Sequence, residues 1–257
     1  MADMIFSDWD GSLIKNDDDA SLLGTIWFYE MLHTLPRPWL KGRRKQLLSA
    51  KKHLKEMRTR YKESPQTGDD IIKESYALYG REVLSGIPMD RVINSARKYG
   101  SRAVRRLDEA FEELWEAAGE KSQIVILTAA LEDGVCQVLT SKRIKSLKKM
   151  GPRPYVCIDG SLIIQNGWVA RDIGLRNYDG KAERMKQIID AERIRPGKII
   201  YMGNDYRDEP CAGIADRFVV APLGTGEFKQ HMASKYGSNV RTPSSRPGEV
   251  YKALTMD

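Results

Sequence analysis

Two aspartates bracket a tryptophan at Asp8-Trp9-Asp10, directly after the apolar pair Ile5-Phe6, and Gly11-Ser12 follow. A carboxylate can attack phosphorus once a cation has quenched its repulsion from the phosphate. A second carboxylate two residues on can protonate the leaving oxygen and then deprotonate water. Gly11 permits the sharp turn that leaves both side chains facing one cleft. The same residue types also build solvated turns after strands, so this segment alone supports either reading.

Three other places could complete such chemistry. Ile124-Val125-Ile126-Leu127 is an apolar run ending in Thr128-Ala129, where a hydroxyl and free backbone N–H groups can hold phosphoryl oxygens. Lys181, after Asp179-Gly180, opens a helical pattern and offers a compact positive charge. Gly203-Asn204-Asp205-Tyr206-Arg207-Asp208 follows the run Ile199 to Met202 and offers hard oxygens for a divalent cation. Taken singly, Thr128 could be a helix cap, Lys181 a surface lysine, and Asp205 and Asp208 parts of a polar turn.

The elements that must position these residues are legible. Ile5-Phe6, Ile124 to Leu127, Ile199 to Met202 and Phe218 to Ala221 are short β-rich runs, with helical stretches at Gly134 to Met150 and Lys181 to Glu192. This alternation predicts an α/β fold with a doubly wound parallel sheet, whose ligands gather at the strand ends. Tyr155 to Ile158 and Leu162 to Ile164 read as a hairpin joined by Asp159-Gly160-Ser161, with a third strand at Trp168 to Ala170. Residues 16–120 differ. They carry five helical patterns, Leu22 to Leu32, Trp39 to Tyr61, Asp69 to Leu84, Met89 to Tyr99 and Arg102 to Ala118, separated by Pro and Gly breakers. The expected organisation is an α/β core from 1–15 plus 121–257, with an all-helical cap inserted at 16–120.

In this order and strand-end context the four segments resemble the motifs of the haloacid dehalogenase (HAD) superfamily of phosphatases. Asp8 to Ser12 resembles its D-x-D-G-[ST] motif, Ile126 to Ala130 the second, Lys181 the third and Gly203 to Pro210 the acidic fourth. The resemblance implies a Rossmann-like core and a Mg²⁺-dependent phosphomonoesterase, with Asp8 as nucleophile and Asp10 as acid and base. It implies Thr128, Ala129 and Lys181 as phosphate ligands. The metal would be held by Asp8, the Asp10 carbonyl, Asn204 and Asp208, with Asp205 the rival ligand. A helical cap between the first two motifs resembles the phosphoserine phosphatase-like branch, where such caps restrict substrates to small molecules. The chain departs from that branch at Asn204, which stands where a carboxylate is expected and brings no negative charge. The alternatives are a phosphotransferase or phosphomutase, or a non-catalytic anion- or membrane-binding protein on the same fold.

The chain's net charge of +7 permits an anionic partner without choosing one. From Arg37 to Lys62 the segment is strongly basic, with Glu56 the single acid, and Leu40, Leu47, Leu54 and Tyr61 recur every seven residues. Helix 39–61 is therefore amphipathic. It can pack within the cap, or meet an anionic membrane surface or a phosphorylated polymer. No RNA-recognition or zinc-finger signature favours nucleic acid. Three scattered cysteines, no apolar run of membrane-spanning length and an acidic, short-run N-terminus are those expected of a reduced cytoplasmic protein.

Overall fold

A computed structural model describes residues 3–15, 22–63, 69–120, 122–140, 155–175, 180–192 and 197–256. Eight strands form one sheet. Their order is β2 (Ile87–Pro88), β5 (Val169–Gly174), β4 (Tyr155–Asn166), β3 (Gln123–Leu131), β1 (Met4–Ser7), β6 (Ile199–Gly203), β7 (Arg217–Val220) and β8 (Val240–Arg241). From β4 through β8 each neighbouring pair is parallel, and only β5 and β2 run against their partners. The expected α/β fold is the one observed.

The central strands are apolar on both faces because both faces are covered. Ile5, Ile124, Ile126, Ile200 and Met202 share one core with α5 (Glu109–Ala118) and α9 (Glu249–Thr255). The alternate residues Met4, Phe6, Val125, Leu127 and Tyr201 share the other with α7 (Lys181–Ala191) and α8 (Gly226–Tyr236). A strand's two-residue period thus divides its side chains between two helical layers.

Between β1 and β3 the chain forms α1 (Leu22–Thr34), α2 (Lys41–Glu63), α3 (Asp69–Leu78) and α4 (Met89–Ala103), with a π-helical turn at Tyr79–Leu84. The outgoing and returning strands of this insertion are clasped. Ile14 bridges Leu107, the Lys15 N–H donates to Arg106 at 3.0 Å, and the Asp108 N–H donates to Leu13 at 3.0 Å. The pattern expected over Arg102 to Ala118 therefore breaks at this clasp. Asp108 caps the new helix by accepting the Ala110 N–H at 3.1 Å, and α5 lies on the sheet beside α9. Leu22, Ile26, Val92 and Ala96 of the insertion pack into the same apolar cluster as the sheet.

One expectation is corrected. Tyr155 to Ile164 is not a hairpin closed by Asp159-Gly160-Ser161; β4 runs straight through it, parallel to β3 and then antiparallel to β5. Gly160 is needed for close approach, since a Cβ there would sit 2.9 Å from the Ala130 carbonyl oxygen. The turn falls at Gly167-Trp168, between the paired Asn166 and Val169, where Gly167 has φ +62°; the strand expected at Trp168 to Ala170 starts at Val169 as β5. α6 spans Glu132–Leu139; the part of the predicted helix at 141–150 lies outside the described residues.

Candidate active site

Three parallel strands lie side by side. Ser7 pairs with Ile126 of β3 and with Met202 of β6, so Asp8 and Asn204 leave the sheet at one edge, beside Thr128, where β3 has passed its last pairing with β1. The Asp8 N–H still donates to the Met202 carbonyl at 2.9 Å, and this ties the residue to the frame of the sheet. Gly11 then turns the chain with φ +76°, its N–H donating to Ile14 at 2.9 Å, and Asp10 is left partly open to the cleft.

Lys181, the first residue of α7, is buried and lies 2.7 Å from Asp8 Oδ1 and 2.6 Å from Asp208 Oδ1. Two carboxylates therefore share one ammonium. Burial works against the charge on Lys181, but Asp208 and Asp8 together raise its pKa above the usual lysine range. Asp8 receives only part of that charge. Burial pushes its carboxyl up to about 7, Asp208 and Asp205 add to the rise, and Lys181 opposes it. Enclosure also raises the pKa of Asp10, against the pull of Arg207 and Lys181.

Asp208 is fully buried beneath the loop after β6. Its Oδ1 accepts from Lys181 and from the Tyr201 hydroxyl at 2.8 Å; its Oδ2 accepts the Asn204 N–H at 2.8 Å and the Asp205 N–H at 3.4 Å. Gly203 makes room for it, because a Cβ there would lie 2.5 Å from the Asp208 side chain. This geometry moves Asp208 from the expected metal ligands to a different task, holding Lys181 and the loop backbone in place. Asp205 is likewise engaged, in a fork with Arg207 that includes bonds from Nε at 3.0 Å and from the Arg207 N–H at 2.9 Å. Arg207 holds the Asp205 carboxyl below its ordinary range, although burial opposes it.

Asn204 occupies the position that a cation would favour. The amide's partners favour the orientation that sets Nδ2 3.1 Å from Asp8 Oδ2, from the Asp10 carbonyl and from Ser12 Oγ, with two hydrogens to serve the three acceptors. Two hard oxygens thus converge on the end of this amide, and turning it would present Oδ1 beside them. Asp8, Asp10, Asp205 and Asp208 set four carboxyl groups against Lys181 and Arg207, so that with all four ionised the poorly hydrated cleft holds an excess of two negative charges. The donor set and the charge both fit one Mg²⁺. Among the described residues no three acidic, His or Cys side chains form a metal-holding group, so a cation here would rely on a carbonyl and an amide beside Asp8.

Thr128 is buried within β3, beyond its last pairing with β1, and its Oγ1 accepts the Ala130 N–H at 3.0 Å. The Ala129 carbonyl accepts the Tyr76 hydroxyl of α3 at 3.0 Å, so the insertion touches this segment directly. Two residues near the site were invisible to motif reasoning. Tyr201 faces Asp208 because β6 turns it to the α7 side, and Arg207 reaches inward with its guanidinium 5.6 Å above the Tyr61 ring of α2. Only strand alternation could have located Tyr201, and no sequence signal pairs Arg207 with Tyr61. Beside Asp10, a cavity of about 50 Å³ lies between Leu22, Leu23, Tyr76, Tyr99 and Ala130.

Neither a protein-family model nor a curated protein sequence matches the chain. Solved structures do. The chain is similar to a Bordetella pertussis Tohama I protein of unknown function, at TM-score 0.63 and 12% identity over 94% of this chain and 99% of that one. It is also similar to a phosphoserine phosphatase solved as a phospho-aspartyl intermediate analogue, at TM-score 0.57 and 14% identity over 89% and 90%. Cytosolic 5′-nucleotidase IIIB bound to cytidine aligns at TM-score 0.57 and 15% identity, over 98% of this chain and 84% of that one. A HAD family hydrolase from Salmonella enterica serovar Typhi shares the fold as well, at TM-score 0.54 and 14% identity over 99% of this chain and 71% of that one.

Proposed function

We propose that this protein is a Mg²⁺-dependent phosphomonoesterase working through an aspartyl-phosphate on Asp8. The observation that carries the reading is the position of the Asp8 carboxylate. One oxygen is held by Lys181 at 2.7 Å, and the other converges with the Asp10 carbonyl on Asn204. The fold it shares with phosphatases supports the same reading.

In the proposed reaction Asp8 attacks phosphorus in line, forming an aspartyl-phosphate as the ester P–O bond breaks. Asp10, whose pKa burial raises above the ordinary carboxyl value, passes a proton to the departing oxygen. The resulting Asp10 carboxylate takes a proton from water as that water attacks phosphorus, and the Asp8–phosphorus bond breaks to release inorganic phosphate. Lys181 faces the nucleophile throughout and offsets the charge that builds on the phosphoryl oxygens. Thr128 and the backbone N–H of Ala129 would orient those oxygens. A Mg²⁺ held by Asp8 Oδ2, the Asp10 carbonyl and Asn204 Oδ1 would supply further neutralisation there. In this reading the insertion acts as a cap. The 50 Å³ beside Asp10 holds a few waters at most, so a substrate enters only when the helices around Tyr76 and Tyr99 part from the sheet.

The test is phosphate release from p-nitrophenyl phosphate with Mg²⁺, with EDTA, and by Asp8→Asn. Loss of hydrolysis in the last two is expected, and hydrolysis that survives Asp8→Asn overturns the mechanism. A wild-type protein inert toward a broad panel of phosphomonoesters would instead favour the binding protein, for which the uncharged Asn204 is the supporting feature.

A further inference from the structure

We infer that the outer corner of α1 and α2 attaches the protein peripherally to an anionic membrane surface. The argument starts with apolar side chains that the fold does not bury. Phe28, Leu32 and Leu35 follow one another at helical spacing and are 45%, 43% and 54% exposed, while Leu48 is 50% and Trp39 76% exposed. They are neighbours. Arg44 of α2 donates to the Thr34 and Leu35 carbonyls at 2.6 and 2.9 Å, which seats the start of α2 against the end of α1. Leu48 lies one turn beyond Arg44, and Trp39 sits in the short turn joining the helices. The apolar stripe expected on α2 only partly includes these residues: Leu47 and Met57 are buried toward α1 and α3, and Leu48 points away from them.

The rim of this patch selects the partner. From Met31 to Lys55 the sequence holds no Asp or Glu. Lys41, Lys45, Lys52 and Lys55 are exposed and form no ion pair among the described residues. Lys51 lies 4.5 Å over the Trp27 ring. A leucine- and tryptophan-bearing surface ringed by lysines is matched by anionic headgroups above acyl chains, where the lysine stems can lie along the apolar layer. A polyanion such as RNA would match the charges, but it offers nothing to the leucines. No helix among the described residues is long and apolar enough to cross a membrane, so attachment would be in the plane of the surface. From Leu48 to Tyr61, which underlies Arg207, α2 runs about 20 Å. The patch is therefore a tether set apart from the cleft, and it does not depend on the proposed hydrolysis.

Flotation with vesicles of phosphatidylcholine containing about a third phosphatidylglycerol tests it. Binding is expected at low salt, falling at least about tenfold in pure phosphatidylcholine and again at high salt. Leu35→Ser with Leu48→Ser removes apolar contact without changing charge. It should weaken binding about tenfold while leaving phosphate release from a soluble ester, and the thermal midpoint, unchanged. Lys52→Glu with Lys55→Glu should do the same through charge. Binding unaffected by the serine pair overturns the proposal, as does wild-type protein that ignores the vesicles but retains single-stranded RNA. A concentration-dependent dimer abolished by the serine pair would also overturn it, by showing that a second copy covers the patch.

Discussion

Asp8 illustrates how a functional residue opposes the fold that holds it. Its carboxyl titrates at about 7 in the folded chain, chiefly because it is buried, against an ordinary value of 3.8. As pH rises from about 4, the unfolded chain gives up this proton first, so folded stability falls until about pH 7 and levels off above it. Asp8→Asn removes the group and should be the more stable protein at pH 8, by about 1–3 kcal/mol, with the gap closing toward pH 4. Urea unfolding of both proteins at the two pH values measures it; a gap that widens on acidification contradicts the account. The identity of Asp8 was legible because a carboxylate pair, a turn-forming glycine and an upstream strand all occur within a few residues. The task of Asp208 was not. Its spacing from Asn204 suits a metal ligand equally well, and only the glycine at 203 and the path of β6 turn it under the loop toward Lys181 and Tyr201.

At the scale of elements, helices and parallel strands could be read because periodicity survives in them, whereas the hairpin was misplaced. Asp159-Gly160 and Asn166-Gly167 carry similar turn chemistry, and what separates them is tertiary: Gly160 serves the approach of β3, and Gly167 supplies the positive φ. The seven-residue helix α9 shows another long-range device. Glu113 of α5 accepts the Gly248 and Tyr251 N–H groups at 2.8 Å each, capping the N-terminus of α9 from a separate helix. Arg217 of β7 donates to the Ala253 and Leu254 carbonyls at 3.2 and 3.1 Å, closing its other end. So short a helix has little stability of its own. Glu113→Ala should cost about 1–2 kcal/mol. It should also speed amide hydrogen exchange across Val250 to Thr255, with the amides of β1 unaffected. Unchanged exchange in α9 would show that Val250 and Leu254 hold it by packing alone.

Across the whole molecule, the proposed cation site is assembled by the sheet rather than by any local segment. Asn204 lies 192 residues beyond Ser12, yet their side chains are 3.1 Å apart because β1 and β6 are adjacent and in register. The unfolded chain cannot gather these oxygens, so Mg²⁺ should bind the folded state alone and stabilise it by mass action. At about a hundredfold excess over its dissociation constant the gain is about 2.7 kcal/mol, a rise of several degrees in the thermal midpoint for a chain of this size. The chain's overall charge of +7 works against a cation at long range, whereas the local excess of carboxylates attracts it at short range. Added monovalent salt should therefore weaken binding only modestly, since both contributions are screened. Asp8→Asn should abolish the Mg²⁺-dependent rise. Asn204→Asp should enlarge it at a given Mg²⁺ concentration by restoring a charged ligand, and its proton competition should make the gain steeper with pH. Thermal unfolding with Mg²⁺ and with EDTA reads all three proteins, and identical midpoints in the wild type would remove the cation from the site.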